Sequence, residues 1–415
     1  MRILLLHSSS DNYGASKIFL QTVRILKQRG HLPVVVLSNN GNLVNELNSL
    51  GVDVHIINLA IIRRKYFNVK GIWNRYKKWK DAIPQLEYII TKHQIDTIYS
   101  NTAAVLIGGY LAHKKNIKHI WHLHEIIERP VFMHRFLAYC LRKWADKIIV
   151  VSKAVEANWQ DALPTSKSDN LNRDLKPKMF QVYNGILPVP TYETIPNTDF
   201  KNFKQSIGLP DNALVIGMAA RIHFWKGQSY FIEIARELLS RAARNESTAN
   251  NYSTSPLYFI IAGDPFPGYE HLQSEMEQLI QQYQLSERIF YIGLVKEMDL
   301  FYKTIDLLIL PSQQPDPLPT VVLEAMQYSI PVVATAQGGA LEMVMENETG
   351  IFIPLDNVSL AVDKIEKIVA PSVLKSLGSA GKKRVDTYFS ASAFEKNMIA
   401  VFENDSFHQH ISIYP

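Results

Sequence analysis

Short β-rich runs alternate with segments of helical period twice along this 415-residue chain, once on each side of a proline-dense break. Such alternation calls for parallel strands joined by helical crossovers, with helices covering both faces of each sheet. The first series is Arg2 to His7, Leu32 to Ser38, Val52 to Asn58, Asp96 to Ser100, His119 to His124 and Lys147 to Val151. The second is Ala213 to Ala219, Leu257 to Ala262, Arg288 to Ile292, Leu307 to Pro311, Pro331 to Thr335 and Gly350 to Ile353. Between runs the apolar spacing is helical, as at Ile18, Phe19, Val23 and Leu26 within Ala15 to Gln28, and Gly30 supplies the stop. Gly185 to Pro196 has the proline density of a hinge.

The expected organisation is an α/β chain of two Rossmann-like domains. These are an N-terminal, acceptor-binding domain over 1–185, a linker over 186–200, a C-terminal donor domain over 191–387 and a terminal helical segment over 388–415. In the last of these, Phe394, Met398, Ile399 and Phe402 form a packing stripe. Thr165 to Lys178 and Asn245 to Pro256 are polar, lack an apolar period and read as mobile loops.

Composition narrows the class. A single cysteine, Cys140, leaves no internal disulfide and no thiolate zinc cluster, which favours a reducing compartment. The apolar run at Met1–Leu6 is shorter than a signal peptide's core, and no run of about twenty apolar residues occurs. A cytoplasmic protein is expected. Residues 1–190 carry 27 Lys+Arg against 13 Asp+Glu, and the remainder 17 against 26, so the halves have opposite charge. A basic first half suits an acidic substrate or an anionic surface.

Neither the G-x-G-x-x-G nor the G-x-x-x-x-G-K-[ST] fingerprint follows the first strand. Asp11-Asn12-Tyr13-Gly14-Ala15 instead offers one glycine opening a helix, either an anion-binding turn or a tight turn and nothing more. In the second half Arg221 and Lys226 lie in the loop after a strand, with Gly227 before a helix. A diphosphate needs such donors, which stay ionised; solvated loop charges are the plainer alternative. From Leu310 to Glu342, Asp316 occupies a proline-rich turn, Glu324 the following helix, and Gly338 and Gly339 the next loop. Loops at strand ends that carry acids and glycines line the ligand crevice of open α/β sheets.

These blocks, with Ile149 to Ser152, Val182 to Gly185 and Trp121 to Glu125, follow the order found in the retaining family-four (group 1) glycosyltransferases, which the chain resembles over nearly its whole length. The resemblance implies the GT-B fold, two facing Rossmann-like domains with a C-terminal helix returning to the first. It also implies a hexose transfer from a nucleotide-diphosphate sugar, with UDP the commonest, to a saccharide or lipid-linked saccharide acceptor. It casts Arg221 and Lys226 as the diphosphate pair, Glu324 as the ribose acid and His124 as the histidine beside the transferred sugar. The substrate-binding set becomes Gly14, Arg221, Lys226, Asp316, Leu318, Pro319, Thr320, Glu324, Gln337, Gly338 and Gly339, with His124, Asp316, Arg221 and Lys226 catalytic. The leaving diphosphate takes the acceptor's proton, so neither metal nor cofactor is implied. Two positions depart from the family pattern: Asp316 replaces the first Glu of E-x7-E, and Tyr13-Gly14 replaces Gly-Gly. They keep open a non-catalytic carbohydrate-binding or assembly subunit, with a sugar-nucleotide epimerase as the rival enzyme.

His122 and His124 share a strand face at a spacing that suits a metal, but no third ligand accompanies them. Residues 63–80 hold eight cations, no acid and interleaved aromatics. That segment suits peripheral contact with an anionic membrane; a solvated basic helix is the alternative, and no nucleic-acid module is recognisable.

Overall fold

The computed structural model describes residues 1–10, 14–62, 66–162, 178–187, 203–244, 255–266 and 268–404. The chain divides into two compact units, one running to Gly185 and resuming at Ser392, the other covering Ile186–Ala391.

The first unit is built on seven strands: β1 (Arg2–His7), β2 (Leu32–Leu37), β3 (Asp53–Ile56), β4 (Thr97–Asn101), β5 (Lys118–Leu123), β6 (Lys147–Val150) and β7 (Lys178–Gln181). Their order is β3-β2-β1-β4-β5-β6-β7, and every pairing is parallel. The second unit has β8 (Leu214–Ala219), β9 (Leu257–Ala262), β10 (Ile289–Tyr291), β11 (Leu307–Leu310), β12 (Val332–Thr335) and β13 (Gly350–Ile353). Their order is β10-β9-β8-β11-β12-β13, again all parallel. Strand order reverses beside β1 and beside β8, and ligands of open sheets gather at the carboxyl edge of such switch points.

Both faces of β1 are buried, and the two-residue period of a strand deals its side chains to two cores. Ile3 and Leu5 join Phe19, Val35 and Phe394, whereas Leu4 and Leu6 join Val34, Leu86 and Ile107. This explains why the strand reads as a continuous apolar run. In the second unit Ile216 and Met218 of β8 pack with Phe231, Phe259 and Ile309.

The terminal helix, Ala391–Glu403, buries Phe394, Met398, Ile399 and Phe402 in the first unit's core. Lys147, itself buried, donates from Nζ to the carbonyls of Val401 (2.7 Å) and Asn404 (3.1 Å). A cation at this point satisfies carbonyls that the helix end leaves unpaired.

All twelve strand-like runs expected from the sequence form strands. The seventh strand of the first sheet was missed, and Lys178, assigned to a polar loop, opens it. β7 is a four-residue edge strand, paired among the described residues only with β6 and too short for an apolar period to register. Of the loops expected at Thr165 to Lys178 and Asn245 to Pro256, residues 165–177 and 245–254 fall outside the described residues, as do 188–200 of the linker expected over 186–200. Among the described residues no helix is long and apolar enough to cross a membrane.

Two fully buried histidines brace the first sheet. His119 donates from Nδ1 to the Trp144 carbonyl (3.0 Å) and accepts at Nε2 from the Ser100 hydroxyl (2.9 Å). Burial lowers its pKa from 6.5 to about 4 and lowers that of His122 well below 6.5. Between about pH 6.5 and 4 the unfolded chain therefore binds protons that the folded chain refuses, so stability falls as pH falls through that window. Each such histidine contributes a slope of up to about 1.4 kcal/mol per pH unit. Urea unfolding at pH 7.5 and pH 5 is expected to show the loss, with a shallower slope in His119→Gln; a flat profile would contradict it.

Candidate active site

In the second unit the loop after β8 carries Arg221 and Lys226, and it is held on three sides. Gln228 Nε2 donates to the Arg221 carbonyl (2.9 Å), and Lys226 N–H donates to the His223 carbonyl (2.9 Å). The Gln313 N–H, from the loop after β11, donates to the Trp225 carbonyl (2.7 Å). Gly227 closes the turn at φ +82°, with the Pro311 carbonyl only 2.1 Å from where a Cβ would sit. A side chain there would break the junction between the two loops.

Lys226 Nζ is hydrogen-bonded and ion-paired to Asp316 Oδ2, both side chains largely buried, and stacks 4.0 Å over the Trp225 ring. The pair brings together a cation and an acid ninety residues apart in sequence. Such a pair is costly to break by removing one partner, because the other is left charged and desolvated. Arg221 lies over the Phe266 ring at 5.4 Å.

Asp316 is also the floor of the glycine loop. Gly338 has φ +58°, and a Cβ there would meet the Asp316 carbonyl at 2.4 Å and its nitrogen at 2.6 Å. The Gly339 N–H donates to the Asp316 carbonyl at 2.7 Å, and a Cβ on Gly339 would meet the Pro317 carbonyl at 2.2 Å. Gln337 Nε2 and the Thr335 hydroxyl both donate to the Ser312 carbonyl, at 2.5 and 2.6 Å. Two glycines are needed because two backbones touch.

Leu318 and Pro319 are buried and lead the chain into the helix Thr320–Gln327, whose first residue, Thr320, is partly exposed. Glu324, inside that helix, accepts from the buried Tyr302 hydroxyl at Oε2 (2.6 Å). Burial, then the neighbouring Glu324 carboxylate, raises the Tyr302 pKa well above 10, so the phenol stays a donor. Tyr302 thus fixes one carboxylate oxygen, and Oε1 carries no hydrogen bond among the described residues.

In the first unit the carboxyl ends of β1, β4 and β5 bring His7, Asn101 and His124 into one network. Asn101 Oδ1 accepts from His124 Nε2 (2.9 Å) and from the Tyr99 hydroxyl (3.2 Å), while its Nδ2 donates to His7 Nδ1 (2.9 Å). His7 Nε2 in turn meets the Ser16 hydroxyl at 3.0 Å. This pattern assigns the His124 proton to Nε2 and leaves Nδ1 an acceptor. Burial first, and then His7, lowers the His124 pKa to about 3, so the imidazole is neutral. The His122 and His124 rings lie 4.1 Å apart, consistent with one strand face. Glu125 accepts at Oε2 from the N–H groups of Ala103 (3.1 Å) and His124 (3.0 Å), which organises the loop. Gly14 is the first residue of the helix Gly14–Gln28; Asp11 to Tyr13 before it lie outside the described residues.

Several residues beside these were not singled out from the sequence. Gly263, at φ +127°, has the Ala220 carbonyl 2.1 Å from its would-be Cβ, so the loop after β9 is clasped against the Arg221 loop. The same loop brings Phe266 under Arg221 and the Tyr269 ring 4.5 Å from His223. A glycine directly after an apolar strand was the available signal. From the sequence His7 is only a strand residue, and Asn101 lies one position past the strand expected over Asp96 to Ser100.

Comparison with known proteins places the chain in a family. Residues 199–384 match the family described as glycosyl transferases group 1, and residues 13–169 match glycosyltransferase family 4. An uncharacterized glycosyltransferase of Methanocaldococcus jannaschii is 26% identical over 193 residues, 45% of each chain. A lipopolysaccharide 1,2-N-acetylglucosaminetransferase of Salmonella typhimurium is 22% identical over 370 residues, 85% of each chain. Among solved structures, the Anabaena protein HepE, in complex with UDP and glucose, superposes with a TM-score of 0.76 at 21% identity. That superposition covers 97% of this chain and all of the other. With both halves matched in order on a shared GT-B architecture, the chain belongs to the group 1 glycosyltransferases.

Proposed function

We propose that the chain transfers a hexose, with retention of anomeric configuration, from a UDP-linked donor to a saccharide or lipid-linked saccharide in the making of a polysaccharide or glycolipid. The observation that carries this reading is Lys226 paired with Asp316, whose backbone also seats Gly338 and Gly339. One carboxylate and one ammonium, both largely withdrawn from water, then stand beside backbone that only glycine permits. A sugar diphosphate presents the matching groups: phosphate oxygens for the cations and N–H groups, hydroxyls for the acid. The Salmonella relative's name and the UDP bound to the Anabaena protein point the same way.

In this reading Lys226 and Arg221 stabilise charge that builds on the departing diphosphate. The bond from the anomeric carbon to the diphosphate breaks, the bond to the acceptor oxygen forms on the same face, and the acceptor's proton passes to a diphosphate oxygen. Asp316, Leu318, Pro319 and Thr320 border the sugar, Gln337 lies with the glycines beside the phosphates, and Glu324 holds the ribose. Neutral His124 offers a hydrogen bond without adding charge, and Gly14 borders the acceptor. No metal is required for the step as written.

Lys226→Ala is expected to cut kcat roughly 10²–10³-fold with the far-ultraviolet spectrum unchanged, whereas rates for the parent chain should not depend on added Mg²⁺ or Mn²⁺. A near-normal rate in that variant removes the assignment, and an inverted product anomer by NMR removes retention. Glu324→Ala is expected to weaken UDP binding by roughly 1.5 to 3 kcal/mol, and unchanged calorimetric affinity would refute the ribose role.

A peripheral position at the inner face of the membrane is part of the proposal. Arg63 to Lys65 lie outside the described residues, but Val69, Ile72, Trp73 and Tyr76 form an exposed stripe at helical spacing on the helix Val69–His93, among Lys70, Lys77 and Lys80. Flotation with anionic vesicles should fall with salt and with Lys77→Gln/Lys80→Gln. Equal recovery on neutral vesicles would rule out the electrostatic form.

A further inference from the structure

Asp53 opens the edge strand β3, His55 follows two residues later on the same strand, and His93 closes the helix Val69–His93. Strand start and helix end coincide at the amino-terminal edge of the first sheet, the edge opposite the one that carries His7, Asn101 and His124. Nothing in the transfer reaction uses these three residues.

Their ligand atoms converge. His55 Nε2 lies 3.4 Å from Asp53 Oδ1, His93 Nε2 lies 3.4 Å from Asp53 Oδ2, and one ligand atom from each residue falls within 4.8 Å of the others. The two rings are 6.2 Å apart at 72°. Both Nε2 atoms are buried, and neither makes a hydrogen bond among the described residues. A charge-assisted N–H to carboxylate bond would draw in to about 2.7–2.9 Å. Ligand atoms held about 2.0–2.2 Å from one tetrahedral ion stand roughly 3.3–3.6 Å apart; each Nε2 stands at that distance from one carboxylate oxygen, Oδ1 for His55 and Oδ2 for His93, and the three-residue set closes within 4.8 Å.

We propose that Asp53, His55 and His93 bind a zinc ion, with water completing a four-coordinate site. Two imidazoles and one carboxylate favour a borderline transition metal over Mg²⁺ or Ca²⁺, which take oxygen ligands. Asp53 is exposed and gives the ion a route in. The helix ends at His93, where Gln94 turns to φ 51°, so the negative end of the helix dipole faces the cation. The ion ties the end of that helix to β3, which among the described residues is an edge strand with only β2 beside it. The role is structural, and the proposal is independent of which sugar is transferred.

The test is a Zn²⁺ titration of the full, metal-stripped chain against a chromophoric chelator, with Co²⁺ as a spectroscopic substitute. About one Zn²⁺ per chain is expected, with a tetrahedral Co²⁺ band in the visible. His55→Gln and His93→Gln should each weaken Zn²⁺ roughly tenfold or more, whereas His113→Gln, at an exposed histidine outside the cluster, should not. No Zn²⁺ uptake, or uptake that survives both ligand substitutions, overturns the site. Should the variants not fold, hydrogen exchange on the parent chain decides: Zn²⁺ is expected to slow amides at 53–56 and 89–94, and unchanged exchange there overturns the proposal.

Discussion

Parallel pairing is the constraint on which the rest of this molecule depends. A parallel strand cannot be reached by a tight turn, so each strand is followed by a crossover, and successive strands end at the same edge. Helices on both faces then bury both sides of the sheet, which is why Leu4 and Leu6 are as fully enclosed as Ile3 and Leu5. With both faces given over to packing, chemistry is left to the loops at the carboxyl edge. His7, Asn101 and His124 stand there in the first unit, and Arg221, Asp316 and Gly338 in the second.

In the second unit the organising element is Asp316. Its side chain pairs with Lys226, its carbonyl receives the Gly339 N–H, and its backbone lies where a side chain on Gly338 would have to be. Three loops, after β8, β11 and β12, are therefore set by one residue. Asp316 reaches Lys226 beside the point where Gly227 lets the Lys226 loop meet Pro311 at backbone distance.

The first unit uses the same edge differently. Burial lowers the pKa values of His122 and His124 and keeps both neutral, and Asn101 links His124 to His7 through one amide. Such a network specifies one tautomer for His124 at the cost of sensitivity to acid. The cluster of Asp53, His55 and His93 lies at the opposite edge, where helices end and strands begin. The two edges of one sheet thus carry an amide-linked histidine network and a histidine–carboxylate cluster.

The period of the apolar residues determined the strands, their parallel character and the terminal helix, since burial of an apolar face is a local demand that the chain must write into itself. Phe394, Met398, Ile399 and Phe402 announced their stripe in this way. Residue type likewise marked Arg221, Lys226, Glu324 and the paired glycines, because diphosphates and close backbone approach restrict the choices to a few side chains. What only the tertiary structure decided was which distant groups meet. Lys226 with Asp316, Tyr302 with Glu324, Asn101 with His124, and His93 with Asp53 and His55 are each brought together by strand order or by a crossover helix. Short edge β7 belongs with them, because its pairing with β6 comes from the sheet and not from its own four residues. Burial is encoded residue by residue along a strand or helix, whereas partnership is a property of the packed sheet, and no period in the chain records it.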